Sequence, residues 1–174
     1  MNSTRQIVFT ALFVALIACG AFISIPIGPV PIVLQNMFVL LAGLILGPVW
    51  GLGCVAVYLL MGFAGLPIFA GGTGGIGKLF GPTGGYLLGY LPAVYVTAVL
   101  SKSMKKTFVG DLVALIVGSL IVYAIGVPWL KYVLSMAWSK ALAVGMYPFL
   151  PGAVLKIAAA AFIAKKIRPI IKTR

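Results

Sequence analysis

From Gln6 to Gly77 the chain carries no charged side chain. That stretch is roughly seventy residues long, whereas one transmembrane helix needs ~20 mostly apolar residues, so it has room for about three spans. The remainder has the same character: mean hydropathy is +1.21, with 63% hydrophobic and 8% charged residues. A soluble domain of 174 residues cannot bury that much apolar chain. The sequence specifies an all-α, polytopic membrane protein, organised as one bundle over residues 1–174.

Helix breakers divide the apolar chain into six expected transmembrane helices. The first, residues 6–25, stops at Pro26, Pro29 and Pro31, because proline lacks an amide donor and clashes inside a helix. The second and third, 32–46 and 48–61, meet at Gly47-Pro48, with proline suited to a first helical turn. Residues 62–83 hold too many glycines for a span. The fourth, fifth and sixth helices are 84–101, 108–127 and 149–167. Between the last two, 129–146 mixes Lys131 and Lys140 with aromatics and reads as an interfacial helix or structured loop.

Charge placement orients the bundle. The chain has 13 Lys+Arg, one acid (Asp111) and no His. With the N-terminus inside, Arg5, the three lysines of the 102–106 link and five basic residues from Lys165 onward lie on the cytoplasmic side. Only Lys78, Lys131 and Lys140 fall outside. The positive-inside bias therefore puts both termini in the cytoplasm of a bacterial-type cell membrane. It also puts the three irregular connections (26–31, 62–83 and 128–148) on the outer face. Irregular backbone at a membrane survives when it packs on protein or lines a polar cavity, so a site is expected there. Because the basic residues flank apolar runs, no solvated basic face remains for nucleic acid.

Gly72-Thr73-Gly74-Gly75-Ile76-Gly77-Lys78 has the outline of a phosphate-binding loop, but Leu79 stands where the metal-holding Ser or Thr belongs and no strand precedes it. Nucleotide hydrolysis is rejected; what remains is a glycine-rich loop whose exposed amides can approach a polar ligand. Leu16-Ile17-Ala18-Cys19 resembles a lipoprotein cleavage box, yet only Arg5 charges the segment before it and the apolar run continues to Ile25. Cys19 and Cys54 read instead as small packing residues. Ala11, Ala15 and Cys19 form a small-residue stripe, suited either to packing within the bundle or to docking a partner helix. Gly43, Gly47 and Gly51 form another, assigned to internal packing.

Lys156 stands out, five residues after Pro151 and so about 7–8 Å into the last span. An ionisable side chain there costs ~2.5–3.5 kcal/mol near the membrane centre and marks a functional site by default. The alternative is snorkelling to the interface along its four-carbon stem. With no carboxylate pair, no histidine and no nucleophile beside a base, the chain is read as binding rather than catalysing, and no cofactor or metal is implied.

Ile32-Val33-Leu34-Gln35-Asn36, Gly65-Leu66-Pro67-Ile68-Phe69, Gly81-Pro82-Thr83-Gly84-Gly85-Tyr86 and Pro151-Gly152-x-x-x-Lys156 resemble, in order and spacing, the BioY family. Its members are biotin-binding S components of energy-coupling factor (ECF) transporters. The resemblance implies six helices, vitamin capture from outside, and docking through Ala11 and Ala15 onto a transmembrane coupling subunit driven by two ATPase subunits, all within membrane lipid. It implies a site built from Lys156, Thr73, Gly74, Gly75, Thr83, Gly84, Tyr86 and Gln35, with Asn36 a neighbour that faces the ligand or bridges helices. Lys156 would meet either the ureido oxygen or the carboxylate of biotin. Two departures bear on the ligand: Ala153 stands where many members have Asp, and Leu87 where some have Arg. The alternative is an S component for another small carboxylated vitamin or precursor.

Overall fold

In the computed structural model, residues 3–26 and 28–172 are described, the last without its side chain. Arg174, counted above with the basic tail, lies outside them. The architecture is helical. α1 (Ser3–Phe22) leads to a two-residue hairpin of β1 (Ser24–Ile25) and β2 (Ile32–Val33), then α2 (Gln35–Leu46), α3 (Pro48–Phe63), the four-residue α4 (Gly77–Phe80), α5 (Gly84–Ser103) and α6 (Phe108–Val133). α7 (Trp138–Gly145), a 3-10 turn at Tyr147–Phe149 and α8 (Leu150–Lys172) complete it.

Segments Ser3–Phe22, Gly84–Ser103, Phe108–Val133 and Trp138–Ile171 are long and apolar enough to cross a membrane. The last is broken at Met146, so its helical span is α8. α2 and α3, at 12 and 16 residues, are shorter than the ~20 a lone span needs. α2 tolerates this because it runs inside the bundle, touching α1, α3, α5, α6 and α8. Outward positions such as Val49, Leu60, Val109, Val154 and Leu155 are apolar and exposed. That surface would be a liability in water and suits hydrocarbon.

Two expected helix ends are corrected. The first helix stops at Phe22 rather than residue 25, and the second starts at Gln35 rather than 32. The intervening residues pair antiparallel, Ser24 with Val33 and Ile25 with Ile32. The isoleucines and valine favour extended backbone, and the ladder satisfies amides that three prolines deny a helix. Leu34 closes the hairpin by donating its N–H to the carbonyls of Gly20 and Ile23, both at 3.1 Å.

The stretch 129–146 is also corrected. α6 runs through Pro128 to Val133, and only Trp138–Gly145 forms a separate short helix. Proline is tolerated in a span when neighbouring groups compensate for the lost bond. Here Trp129, one residue on, packs over Gly85 and donates its indole N–H to the Gly81 carbonyl at 3.0 Å, fastening α6 to α5.

Close approaches hold the helices together. Gly47, at φ +84°, makes the turn between α2 and α3. Beyond it, a methyl on Gly51 would lie 3.1 Å from the Gly43 Cα, and one on Gly43 would lie 2.6 Å from the Val94 carbonyl oxygen. The Gly43–Gly51 stripe is thus the internal packing seam expected of it. Cys54 is buried and Cys19 exposed, both as free thiols.

One end of the bundle gathers the Gly47 turn, the 104–107 link and the end of α8. There Arg168 pairs with Asp111, which is 1% exposed. Its Nη2 donates to the Leu44 carbonyl at 3.1 Å, Ser101 Oγ at 3.0 Å and Asp111 Oδ1 at 3.0 Å, and its Nη1 to the Lys106 carbonyl at 3.2 Å. Ser101 Oγ in turn donates to Asp111 Oδ1 at 2.6 Å. Four helices are tied at one guanidinium. The opposite end carries the hairpin, the glycine-rich loop and α7, and it holds the cavity.

Candidate functional site

The cavity has a volume of about 460 Å³, within the ~300–1,000 Å³ usual for small-molecule sites. Pro29, Val30 and Pro31 of the hairpin close one side. Phe69, Thr73 and Gly74 of the glycine-rich loop form another, with Lys78 of α4 beside them. α5 contributes Thr83, Tyr86, Leu87 and Tyr90; α6 contributes Val122 and Tyr123. Gln35 and Asn36, the first turn of α2, face Lys156 of α8.

Lys156 does not snorkel. Its Nζ donates inward to the Val33 carbonyl at 2.6 Å and to Asn36 Oδ1 at 3.4 Å. A lysine extended toward lipid headgroups could not hold the hairpin's second strand in this way. Asn36 therefore bridges helices and lines the cavity at once. Gln35 is 1% exposed, and its Nε2 has no partner among the described residues. A buried amide donor left so costs ~1–3 kcal/mol, which a ligand acceptor would recover.

The glycine-rich loop is positioned by Phe69. Its ring lies edge-on to Tyr58 and Phe63, at centroid distances of 5.6 and 5.3 Å, over Gly62, where a methyl would strike the ring. Tyr58 adds a hydrogen bond from its hydroxyl to the Ile68 carbonyl at 2.8 Å. Phe69 and Thr73 then bridge each other's backbones, the Phe69 N–H reaching the Thr73 carbonyl at 2.8 Å. The Thr73 hydroxyl donates to the Ala70 carbonyl at 2.9 Å, so toward a ligand it retains lone pairs. Gly74 passes so close to the Leu66 carbonyl that a side chain is excluded.

Of the residues expected at the site, Lys156, Thr73, Gly74, Thr83, Tyr86 and Gln35 line this cavity; Gly75 and Gly84 do not. Gly75 holds φ +95° and donates to the Gly62 carbonyl at 2.7 Å, locking the loop to the end of α3. Gly84 lets α5 pass the Leu79 carbonyl and the Trp129 indole. Tyr86 supplies a wall with its ring, while its hydroxyl is spent on the Gly145 carbonyl at 2.8 Å, bracing α7. Leu87, at the departure noted above, lines the cavity, and Ala153 instead faces a small space of about 10 Å³ beside Lys156, Asn36 and Ser119.

Lys78, Tyr90, Tyr123 and Phe149 are lining residues that sequence reasoning did not select. Tyr90 was accessible to it, standing one helical turn after Tyr86. Lys78 was visible as the charge ending the neutral run. Nothing in the pattern of α6 or of 129–149 singles out Tyr123 or Phe149.

The BioY family model matches residues 1–173. The chain belongs to the BioY family. It is 42% identical over 164 residues to "Biotin transporter BioY" of Thermotoga maritima, covering 94% of this chain and 96% of that one. With "Probable biotin transporter BioY" of Pyrococcus horikoshii it shares 38% identity at the same coverage. The fold superposes, with a TM-score of 0.90 and 30% identity, on a crystal structure of the S-component for biotin from an ECF-type ABC transporter, covering 97% of this chain and 95% of that one. BioY-family membership and the apolar helices make this a membrane protein.

On α1, Ala11, Ala15 and Cys19 are exposed, together with Ile7, Val8 and Leu12, whereas Phe13, Val14 and Ile17 face the core. The stripe is not used to pack this bundle.

Proposed function

We propose that this chain is the substrate-binding S component of an ECF-type biotin transporter, a single six-span domain with both termini in the cytoplasm of a bacterial plasma membrane. Biotin enters from the outer face into the cavity beside Lys156. The observation that carries this reading is the cavity itself: aromatic and aliphatic walls with Lys156, Asn36 and Gln35 gathered on one side. Biotin's fused bicycle suits such walls, and its ureido ring suits donors and acceptors placed together. The names borne by the Thermotoga and Pyrococcus relatives and by the crystal structure support the same ligand.

Energy for uptake comes from outside the chain, whose one phosphate-loop outline has Leu79 in place of the metal-holding Ser or Thr. The exposed Ala11–Ala15 face of α1 is the docking surface for a transmembrane coupling subunit carrying two ATPase subunits, because small residues allow close helix approach in lipid. The protein therefore acts as a carrier and not as an enzyme.

Calorimetric titration of the purified protein in detergent with biotin and a panel of other carboxylated vitamins tests the reading. Sub-micromolar biotin binding with no competitor of comparable affinity is expected. Selective binding of another vitamin would reassign the ligand while leaving the architecture in place.

A further inference from the structure

We propose that Lys78 is the counter-charge for the ligand's carboxylate and that Lys156 serves the polar ring; the inference rests on the biotin reading above. Two lysines, Lys78 and Lys156, are among the residues that line the cavity, and among the described residues no acid is. The chain's single acid, Asp111, is taken up by Arg168 at the other end of the bundle. A cavity with two cations and no internal anion favours an anionic ligand.

The two lysines are not equivalent. An ammonium has three donors, and Lys156 already directs Nζ at the Val33 carbonyl and Asn36 Oδ1. One donor remains, and Gln35, whose Nε2 is unpartnered, lines the same cavity; donors of this kind suit a neutral acceptor such as a urea oxygen. The Lys78 side chain makes no hydrogen bond or ion pair among the described residues and keeps all three donors for a ligand oxygen. Its backbone is nonetheless held, because the Lys78 N–H reaches the Gly75 carbonyl at 3.1 Å and the Gly81 carbonyl closing α4 accepts from Trp129. Leu87, an apolar residue of the cavity wall, offers the carboxylate nothing, which leaves Lys78 to answer it.

The test compares biotin with biotinamide, its neutral primary amide, on the full chain in detergent. The unaltered protein should prefer the acid by ~10–100-fold, the range for a hydrogen bond to a charged group. Lys78→Gln should bring that ratio close to one, Lys78→Arg should keep it, and Lys156→Gln should weaken both ligands in parallel with the ratio retained. Lys78→Met provides the same reading if the glutamine variant does not fold. The proposal is overturned if Lys78→Gln or Lys78→Met leaves the ratio intact, or if Lys156→Gln abolishes it, which would seat the carboxylate on Lys156. Should the unaltered protein bind neither compound, the biotin reading fails first, and this proposal with it.

Discussion

Each end of the bundle buries a cation, and the two are satisfied in different ways. Arg168 meets a carboxylate, a hydroxyl and two backbone carbonyls, and it lies only 13% exposed at the junction of four helices. Lys156 meets one carbonyl and one amide oxygen on the wall of an open cavity, with no carboxylate near it. A counter-charge separates a fastening from a site. Arg168 has both terminal nitrogens engaged and a carboxylate for counter-ion, with Nε left without a partner among the described residues, and it holds elements together; Lys156, with no counter-ion and facing open space, is available to a ligand.

The largest effect should come from breaking the ion-paired end. Arg168→Leu strands the Asp111 carboxylate in the core and should cost ~3–5 kcal/mol, read as a large drop in the melting temperature in detergent. Arg168→Leu combined with Asp111→Leu should recover much of that loss, because an apolar pair of similar volume is often neutral. If the double variant melts as low as the single one, the carbonyls of Leu44 and Lys106 matter more than the ion pair. Lys156→Met reverses the pattern. Biotin affinity should fall ~10–100-fold with a comparatively small change in melting, since its present partners are neutral. Equal losses of stability and affinity would erase the distinction between the ends.

Smaller effects sharpen the comparison. Tyr86→Phe removes the bond to the Gly145 carbonyl and should cost ~1 kcal/mol of stability, with a modest fall in affinity as α7 loosens. Ala15→Leu should change neither melting nor biotin binding, because Ala15 is exposed on α1. Its effect should appear in cells as lost uptake, and unimpaired uptake would remove α1 as the docking face.

Much of the fold was legible because lipid imposes simple demands: long apolar runs, breakers between them, basic flanks. Lys156 was legible for the same reason, as a charge where hydrocarbon penalises one. What escaped depended on contacts distant in sequence. The pairing of residues 24–25 with 32–33 needs α1 and α2 side by side before it pays off, and a helix count cannot see it. Pro128 suggested a boundary that Trp129, packing on Gly85, overrides. Asp111 was read only as the chain's one acid and Arg168 only as one of the basic residues of the tail, because nothing local places residues so far apart in sequence in one junction. Gly75 and Gly84 were assigned to the site from their motifs, whereas their surroundings call for absent side chains so that the loop and α5 can pack.

Chain order gives the Arg168 junction a further consequence. α8 leaves the ribosome after α2, α5 and α6, so Asp111 reaches the membrane before its cation has been made. Until then the Leu44 carbonyl and the Asp111 carboxylate have no guanidinium to answer them, and Asp111 has only the Ser101 hydroxyl. Synthesis of the final helix is therefore the step that closes this junction over helices already packed through Gly43 and Trp129.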